Sequence, residues 1–454
     1  MSSETEKCKT TNGGNSISKA DIDQQGNKIR EVDTWPQQSD NSSSSLHLFC
    51  YTKCTAEDNK VVQCSRGTIF DDKNTNIIQS FPFTPEYTTE DSELIEKFGD
   101  VSSCQVYDAH EGALLRVFHH EGMWFFATHR KFDANRSKWA SRQSFGEQLT
   151  AALSAEYQRN AKFRERCGDP AKEPESKIYF SRESPENGEI DVHVRQYLDT
   201  LDKDWCYCFL VRNTQNNRIV CQAPVDEKGN PEAIVYHVGS FKKYTNEFSL
   251  SLDINIPSPK KHNFESWSQV YDYVKSTNHD ELQGIIAVAP DARHIKILGS
   301  RYSYLFQIRG NEPSIKFRYL QLRMNPKKVD DLYLLYPGHH QEFENYENIL
   351  YLIAKNIHSA YVNRYIKKQY VTLDKEPYTV MDACHKWHKA DREKNRISVR
   401  KVQQVLNEQR ATDLNKMIRQ HMQQERKAHG ENVEIEAQGS AIQASIGTVN
   451  ETKE

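Results

Sequence analysis

The apolar residues of this 454-residue chain change their spacing partway along, and that change limits the folds open to it. From Leu46 to about Arg323 they fall in short β-rich runs between turn residues: Val61-Val62, Thr68–Phe70, Ala113–Phe118, Met123–Phe126, Trp205–Arg212, Ile219–Cys221 and Ile285–Val288. The runs Leu114–Phe118 and Met123–Ala127 flank His119-His-Glu-Gly122 and predict a hairpin. Two helices interrupt the strands. One covers Ser144 to Glu165, where Phe145, Leu149, Leu153 and Tyr157 recur every fourth residue, and the other covers Phe264 to Lys275. After Pro337 the spacing becomes helical, with Ile349, Leu350, Ile353, Ile357, Tyr361 and Tyr365 in one stretch and Val402, Leu406, Leu414, Met417 and Ile418 in the next. The pattern predicts an α+β domain with antiparallel sheets over residues 47–337 and a helical C-terminal domain over 338–428.

Residues 1–46 carry Ser, Asn, Gln, Asp and Lys with few apolar groups, and 429–454 are similar and acidic. Both are expected to be disordered tails, because they bury too little surface to offset the entropy of ordering. No apolar run approaches the roughly 20 residues that cross a bilayer, and no apolar signal segment opens the chain, so an intracellular, soluble protein is expected. The net charge of −3 conceals an asymmetry: residues 355–430 hold 17 Lys and Arg against 8 Asp and Glu, a balance of +9. A basic helical end suits contact with phosphates as well as it suits a solvated helix face. The ten cysteines, among them Cys50, Cys54 and Cys64, show no zinc-ligand spacing. Cys384-His385-Lys386-Trp387-His388 would point its ligands in different directions on a helix. No metal site is assigned. Lys316, Arg318 and Arg323, after the Gly310-Asn311-Glu312-Pro313 turn, read as the basic face of a strand.

Five short segments stand in a telling order. Arg66-Gly67-Thr68-Ile69-Phe70 is followed by the turn Ala109-His110-Glu111-Gly112, then by Tyr207-Cys208-Phe209 with Asn217-Arg218-Ile219-Val220, then by Gln283-Gly284-Ile285-Ile286, and last by His294-Ile295-Lys296. In this order they resemble the motifs of the RNA ligases of the bacteriophage tRNA-repair type, within the covalent nucleotidyltransferases. The resemblance covers residues 47–323. It implies an RNA ligase-like nucleotidyltransferase fold, ATP and Mg2+ as cofactors, and RNA or a nucleotide as partner. It also implies that the pocket positions are Arg66, Glu111, Gly112, Arg130, Lys131, Cys208, Arg218, Gln283, His294 and Lys296.

The departures are chemical. Covalent nucleotidyl transfer needs a lysine to attack the α-phosphate and carboxylates to hold metal and ribose. The nucleophile position is Ala109, and no lysine occurs between Lys97 and Lys131. A thiol, Cys208, and an amide, Gln283, replace the two glutamates and cannot hold a hard cation as carboxylates do. The expectation is a degenerate ligase-like pseudoenzyme that binds RNA ends or a nucleotide. The alternatives are an active ligase whose nucleophile has moved to Lys131 or Lys296, and a structural scaffold, virus-encoded in one version.

Overall fold

The structure, a computed structural model, describes residues 17–36, 45–181, 190–212, 219–226 and 228–428. Two compact units divide between Pro313 and Ser314.

The first unit contains three sheets. In the four-stranded sheet, Ile29–Trp35, Leu46–Tyr51, Thr68–Asp71 and Asn76–Ile78 pair antiparallel in that order. The six-stranded sheet runs Phe248–Ser249, Ile234–Lys242, Trp205–Arg212, Ala113–His120, Met123–Ala127, Lys177–Ile178, and only its last pair is parallel. The five-stranded sheet runs Lys261–His262, Gln105–Ala109, Gly284–Val288, His294–Leu298, Glu86–Thr88, again with a parallel final pair. The expected antiparallel α+β architecture and helical C-terminal region are present.

Side-chain alternation sets what each sheet covers. Leu115, Val117, Tyr207 and Phe209 meet helices Phe145–Arg159 and Val192–Asp199 through Leu149, Leu153, Val194 and Leu198. The opposite face carries Phe118, Phe125 and Cys206 against Leu46, Leu48 and Ile69 of the four-stranded sheet. In the five-stranded sheet, Val106, Ile285, Ala287, Ile295 and Ile297 pack on Val270 and Val274 of helix Trp267–Ser276. The hairpin turns on Glu121 and Gly122, at φ 43° and 79°, so it is two residues tighter than its sequence suggests.

Five local expectations are corrected. Residues 17–36 are not a structureless tail: they form helix Lys19–Asp23 and strand Ile29–Trp35, with Ile17, Ile22, Ile29 and Trp35 buried. Those apolar residues are too sparse to show a period, yet each reaches a core. The remainder of the two expected tails, 1–16, 37–44 and 429–454, lies outside the described residues. Val61-Val62 belongs to helix Lys60–Cys64, capped by Asn59, and Ile219–Cys221 forms no strand. Helix begins well before residue 338, at Ser300–Arg309. Finally, the basic segment after Pro313 is helix Ile315–Leu322, in which Ser314 accepts the Phe317 N–H at 3.2 Å. Lys316 and Arg323 are there paired with Glu342 and Glu347 at 3.1 and 2.6 Å and line no strand face.

The second unit is helical: Ile315–Leu322, Pro326–Leu335, His340–Tyr361 with a π-helical turn Val362–Ile366, then Lys375–Ala390, Val399–Asn407 and Ala411–Ala428. The expected stripe Ile349, Leu350, Ile353, Ile357 is buried, as are Val402, Leu406, Leu414, Met417 and Ile418. The second stripe belongs to two helices, since the helix breaks at 408–410. Among the described residues no helix is long and apolar enough to cross a membrane.

Candidate functional site

Within the first unit a cavity of about 770 Å³ opens between the five- and six-stranded sheets. The face of the five-stranded sheet turned from its helix supplies Tyr107, Ala109, Ile286, Val288, His294 and Lys296, and the six-stranded sheet supplies Leu114, Leu210 and His237. Tyr51, Phe83 and Phe306 add ring surface.

Of the sequence-derived positions, Arg66, Gly112, Gln283, His294 and Lys296 line this cavity together with Ala109. Ala109 ends strand Gln105–Ala109, and its carbonyl accepts the Gln283 N–H at 2.9 Å. A methyl group therefore stands where the resemblance would place a nucleophile. Glu111 lies behind the wall, buried, and its oxygens accept the backbone N–H groups of Ile219 and Val220 at 3.1 and 2.8 Å. Tyr302 donates its hydroxyl to Glu111 Oε1 at 2.9 Å and accepts from Gln283 Nε2 at 2.8 Å. Burial pushes the Glu111 pKa up against these three donors. Gln283 Oε1 has no partner among the described residues.

His294 is buried and pinned on both nitrogens: Nε2 accepts from Thr84 Oγ1 at 2.6 Å and Nδ1 donates to the Ala292 carbonyl at 3.1 Å. Burial, aided by Arg66 and Lys296, pushes its pKa down to about 4, so it is a neutral wall at pH 7. Lys296 reaches the cavity but pairs with Glu86 at 3.2 Å across the parallel strand.

Three positions lie elsewhere. Cys208 faces the cavity side of its strand, but Phe81 packs over it together with Phe241 and Ala292. Gly239, opposite Cys208, leaves the room: a Cβ there would stand 2.9 Å from the Phe81 ring. Arg130 and Lys131 sit on the turn after Met123–Ala127 and do not line the cavity; Arg130 reaches toward the Tyr51 carbonyl at 3.5 Å. Arg218 lies outside the described residues.

Arg116 was not visible as a site residue, although an arginine inside an apolar strand is itself a signal. It is 1% exposed and donates to the carbonyls of Gly67 and Thr128, tying the Arg66 turn to the Arg130 turn. Burial, and then the charges of Arg66, Arg130 and Arg116, push the His129 pKa down to about 3. Arg66 lines the cavity and makes no hydrogen bond or ion pair among the described residues.

The carboxylates nearby are committed. Glu111 takes three donors, Glu86 holds Lys296, and Asp108 Oδ1 takes Tyr273 Oη at 2.7 Å and His262 Nε2 at 2.8 Å. Among the described residues no cluster of three His, Cys, Asp or Glu side chains could hold a metal ion. This donor set does not fit a protein-held Mg2+.

No family model matches the chain. It is 25% identical over 371 residues to the immediate-early protein ICP-46 homolog of invertebrate iridescent virus 6, covering 78% of this chain and 73% of that protein. It is 26% identical over 242 residues to the immediate-early protein ICP-46 of frog virus 3, covering 50% and 52%. Among solved structures it is similar to a putative ATP-dependent DNA ligase from Aquifex aeolicus, with TM-score 0.35, 12% identity and coverage of 71% and 70%. It is also similar to an archaeal ATP-dependent RNA ligase, with TM-score 0.33, 12% identity and coverage of 90% and 84%.

Proposed function

We propose that the cavity of the first unit binds a nucleotide, free or at the end of an RNA, without forming a lysyl-nucleotide adduct. The observation that carries this reading is the convergence of Arg66, Ala109, Gly112, Gln283, His294 and Lys296, separated by up to 230 positions in sequence, on one cavity. Its volume is in the range of small-molecule sites, which run about 300–1,000 Å³. Ring surface from Tyr51, Phe83, Tyr107 and Phe306 suits a base, and the Arg66 guanidinium suits a phosphate.

Noncovalent binding is favoured over transfer by what surrounds each candidate. Alanine has no nucleophile. Lys296 is paired with Glu86 at 3.2 Å, and Lys131 lies off the cavity wall. With Glu111 consumed by backbone donors and Cys208 under Phe81, no cluster of three His, Cys, Asp or Glu side chains among the described residues is left to hold the metal of such a reaction. ATP is therefore read as a ligand, and the protein as a ligase-like binder that has lost its chemistry.

The test is calorimetric titration of the full chain with ATP, GTP and a 5′-phosphorylated RNA oligonucleotide, beside Ile286→Trp, which fills the cavity from its half-buried wall. Saturable binding by wild type and its loss in Ile286→Trp, at unchanged helix and sheet content, is expected. The arms separate a free nucleotide from an RNA end. Absence of binding to all three, or full binding by Ile286→Trp, would refute the proposal.

A further inference from the structure

The second unit carries a surface with no part in the cavity. Helix His340–Tyr361 runs into the π-helical turn Val362–Ile366, and Lys368 follows at φ 58°. Such turns recur at functional sites. Here the chain sets cations among tyrosine rings. The Arg364 guanidinium lies over Tyr365 at 5.7 Å and over Tyr378, from helix Lys375–Ala390, at 5.4 Å. Tyr365 stacks on His385 at 3.7 Å and 15° between planes. Tyr378 is 38% exposed and Tyr370 is 94% exposed.

The charges around these rings are unequally spent. Lys386 pairs with Asp382 at 2.9 Å, Lys394 with Asp391 at 3.8 Å and Lys416 with Glu376 at 2.6 Å, which occupies most of the local carboxylates. Arg364, Lys367, Lys368 and Lys389 have no ion pair among the described residues. Lys367 and Lys368 are exposed beside Tyr370 in sequence. Exposed tyrosines cost little when isolated, but rings interleaved with uncompensated cations are what a single strand needs: a flat face for each base and a charge for each phosphate. A duplex hides its base faces and cannot use the rings.

We propose that this surface, Arg364, Lys367, Lys368, Tyr370 and Tyr378, binds single-stranded nucleic acid by stacking bases on the two tyrosines while the cations hold the backbone. It is a second site, independent of the nucleotide cavity.

The experiment is fluorescence anisotropy of the full chain with a labelled single-stranded RNA oligonucleotide, the matching DNA strand, and the RNA duplex. Salt is varied. Retention of either single strand ahead of the duplex supports the proposal, and the two strands tell RNA from DNA. Tyr378→Ala and Tyr370→Ala should each weaken single-strand binding by about tenfold, whereas Tyr378→Phe keeps the ring and should bind within about twofold of wild type. Because Tyr370 is almost wholly exposed, its replacement tests the surface even if Tyr378→Ala proves unstable. Lys367→Ala with Lys368→Ala should reduce the magnitude of the salt slope by about 0.7 for each phosphate no longer neutralised. None of these variants should change ATP binding to the cavity. The proposal is overturned if both tyrosine-to-alanine variants bind as wild type, if the duplex binds as tightly as the single strand, or if polyglutamate of equal charge displaces the RNA at equal concentration. The last result would mark an acidic protein partner.

Discussion

Replacing Tyr302 by phenylalanine removes one oxygen from behind the wall of the cavity and should cost more than a single buried hydroxyl usually does. The hydroxyl is the middle of a relay, with Gln283 Nε2 donating to it at 2.8 Å and it donating to Glu111 Oε1 at 2.9 Å. The direction follows from Glu111, whose two oxygens already accept backbone N–H groups from Ile219 and Val220. Without the hydroxyl, Glu111 keeps two donors, but Gln283 keeps none on its amide, since Oε1 has no partner among the described residues. Tyr302 is 2% exposed, so water does not take its place without rearrangement. A buried polar group left unpaired costs about 1–3 kcal/mol, more beside a charge, and two are affected here. The loss should therefore be about 2–4 kcal/mol. Urea unfolding followed by far-UV circular dichroism reads it as a lower midpoint at unchanged slope. Glu111→Gln, alone and combined with Tyr302→Phe, should show a coupling of about 1–2 kcal/mol between the two sites. If Tyr302→Phe lies within about 0.5 kcal/mol of wild type, the relay does not bear on stability and the wall does not depend on it.

The cavity should also respond to pH through His294. Its folded pKa of about 4 lies below the ordinary value of 6.5, so the unfolded chain takes up the proton first. This contribution is complete above pH 6.5 and is lost as pH falls toward 4. By pH 5 about 2 kcal/mol of it is lost, and His294→Gln should flatten the melting-temperature profile between pH 6.5 and 5; an unchanged slope would mean the imidazole is not held neutral. Trp35→Ala should destabilise the first unit by about 3–5 kcal/mol in denaturant unfolding, because its ring meets Phe125 edge-on at 5.3 Å in a buried core. A change below about 1 kcal/mol would show that residues 17–36 are not part of that core. Gly67→Ala should fail twice, from φ 76° and from a Cβ placed 2.9 Å from His129 Cα, and its melting temperature should fall while Gly229→Ala, also at positive φ but with open space around it, loses less.

What could be read in advance depends on how local the governing interactions are. The hairpin Ala113–His120 and Met123–Ala127 was legible from two apolar runs flanking a glycine turn, and helix Phe145–Arg159 from Phe145, Leu149, Leu153 and Tyr157 at every fourth position. Strand Ile29–Trp35 was not, because its partner Leu46–Tyr51 supplies its place in the sheet and its own apolar residues are sparse. Lys316 and Arg318 alternate like a strand, yet Ser314 caps a helix, and Tyr319, Leu320 and Leu322 are buried on it. At the cavity, Arg66, Gly112, Gln283, His294 and Lys296 of the motif positions share one lining, but their order said nothing of their partners. Glu86 for Lys296, Phe81 over Cys208 and Tyr302 beneath Glu111 lie 127 to 210 residues away, and only the tertiary fold joins them: sheet register for Lys296, packing for Cys208, and helix Ser300–Arg309 for Glu111. Those contacts decide the chemistry, since they make the lysine one half of an ion pair and the carboxylate a structural acceptor.

Whether the cavity holds a nucleotide without capturing it covalently is tested most directly by mass spectrometry of one sample under two conditions. The full chain is incubated with ATP and Mg2+ or Mn2+ and measured first under native conditions, then after denaturation. The predicted result is a native species heavier by one intact nucleotide, absent in Ile286→Trp, and a denatured chain at its unmodified mass. A denatured chain carrying a nucleoside monophosphate, lost on replacing a single lysine such as Lys131 or Lys296, would contradict noncovalent binding.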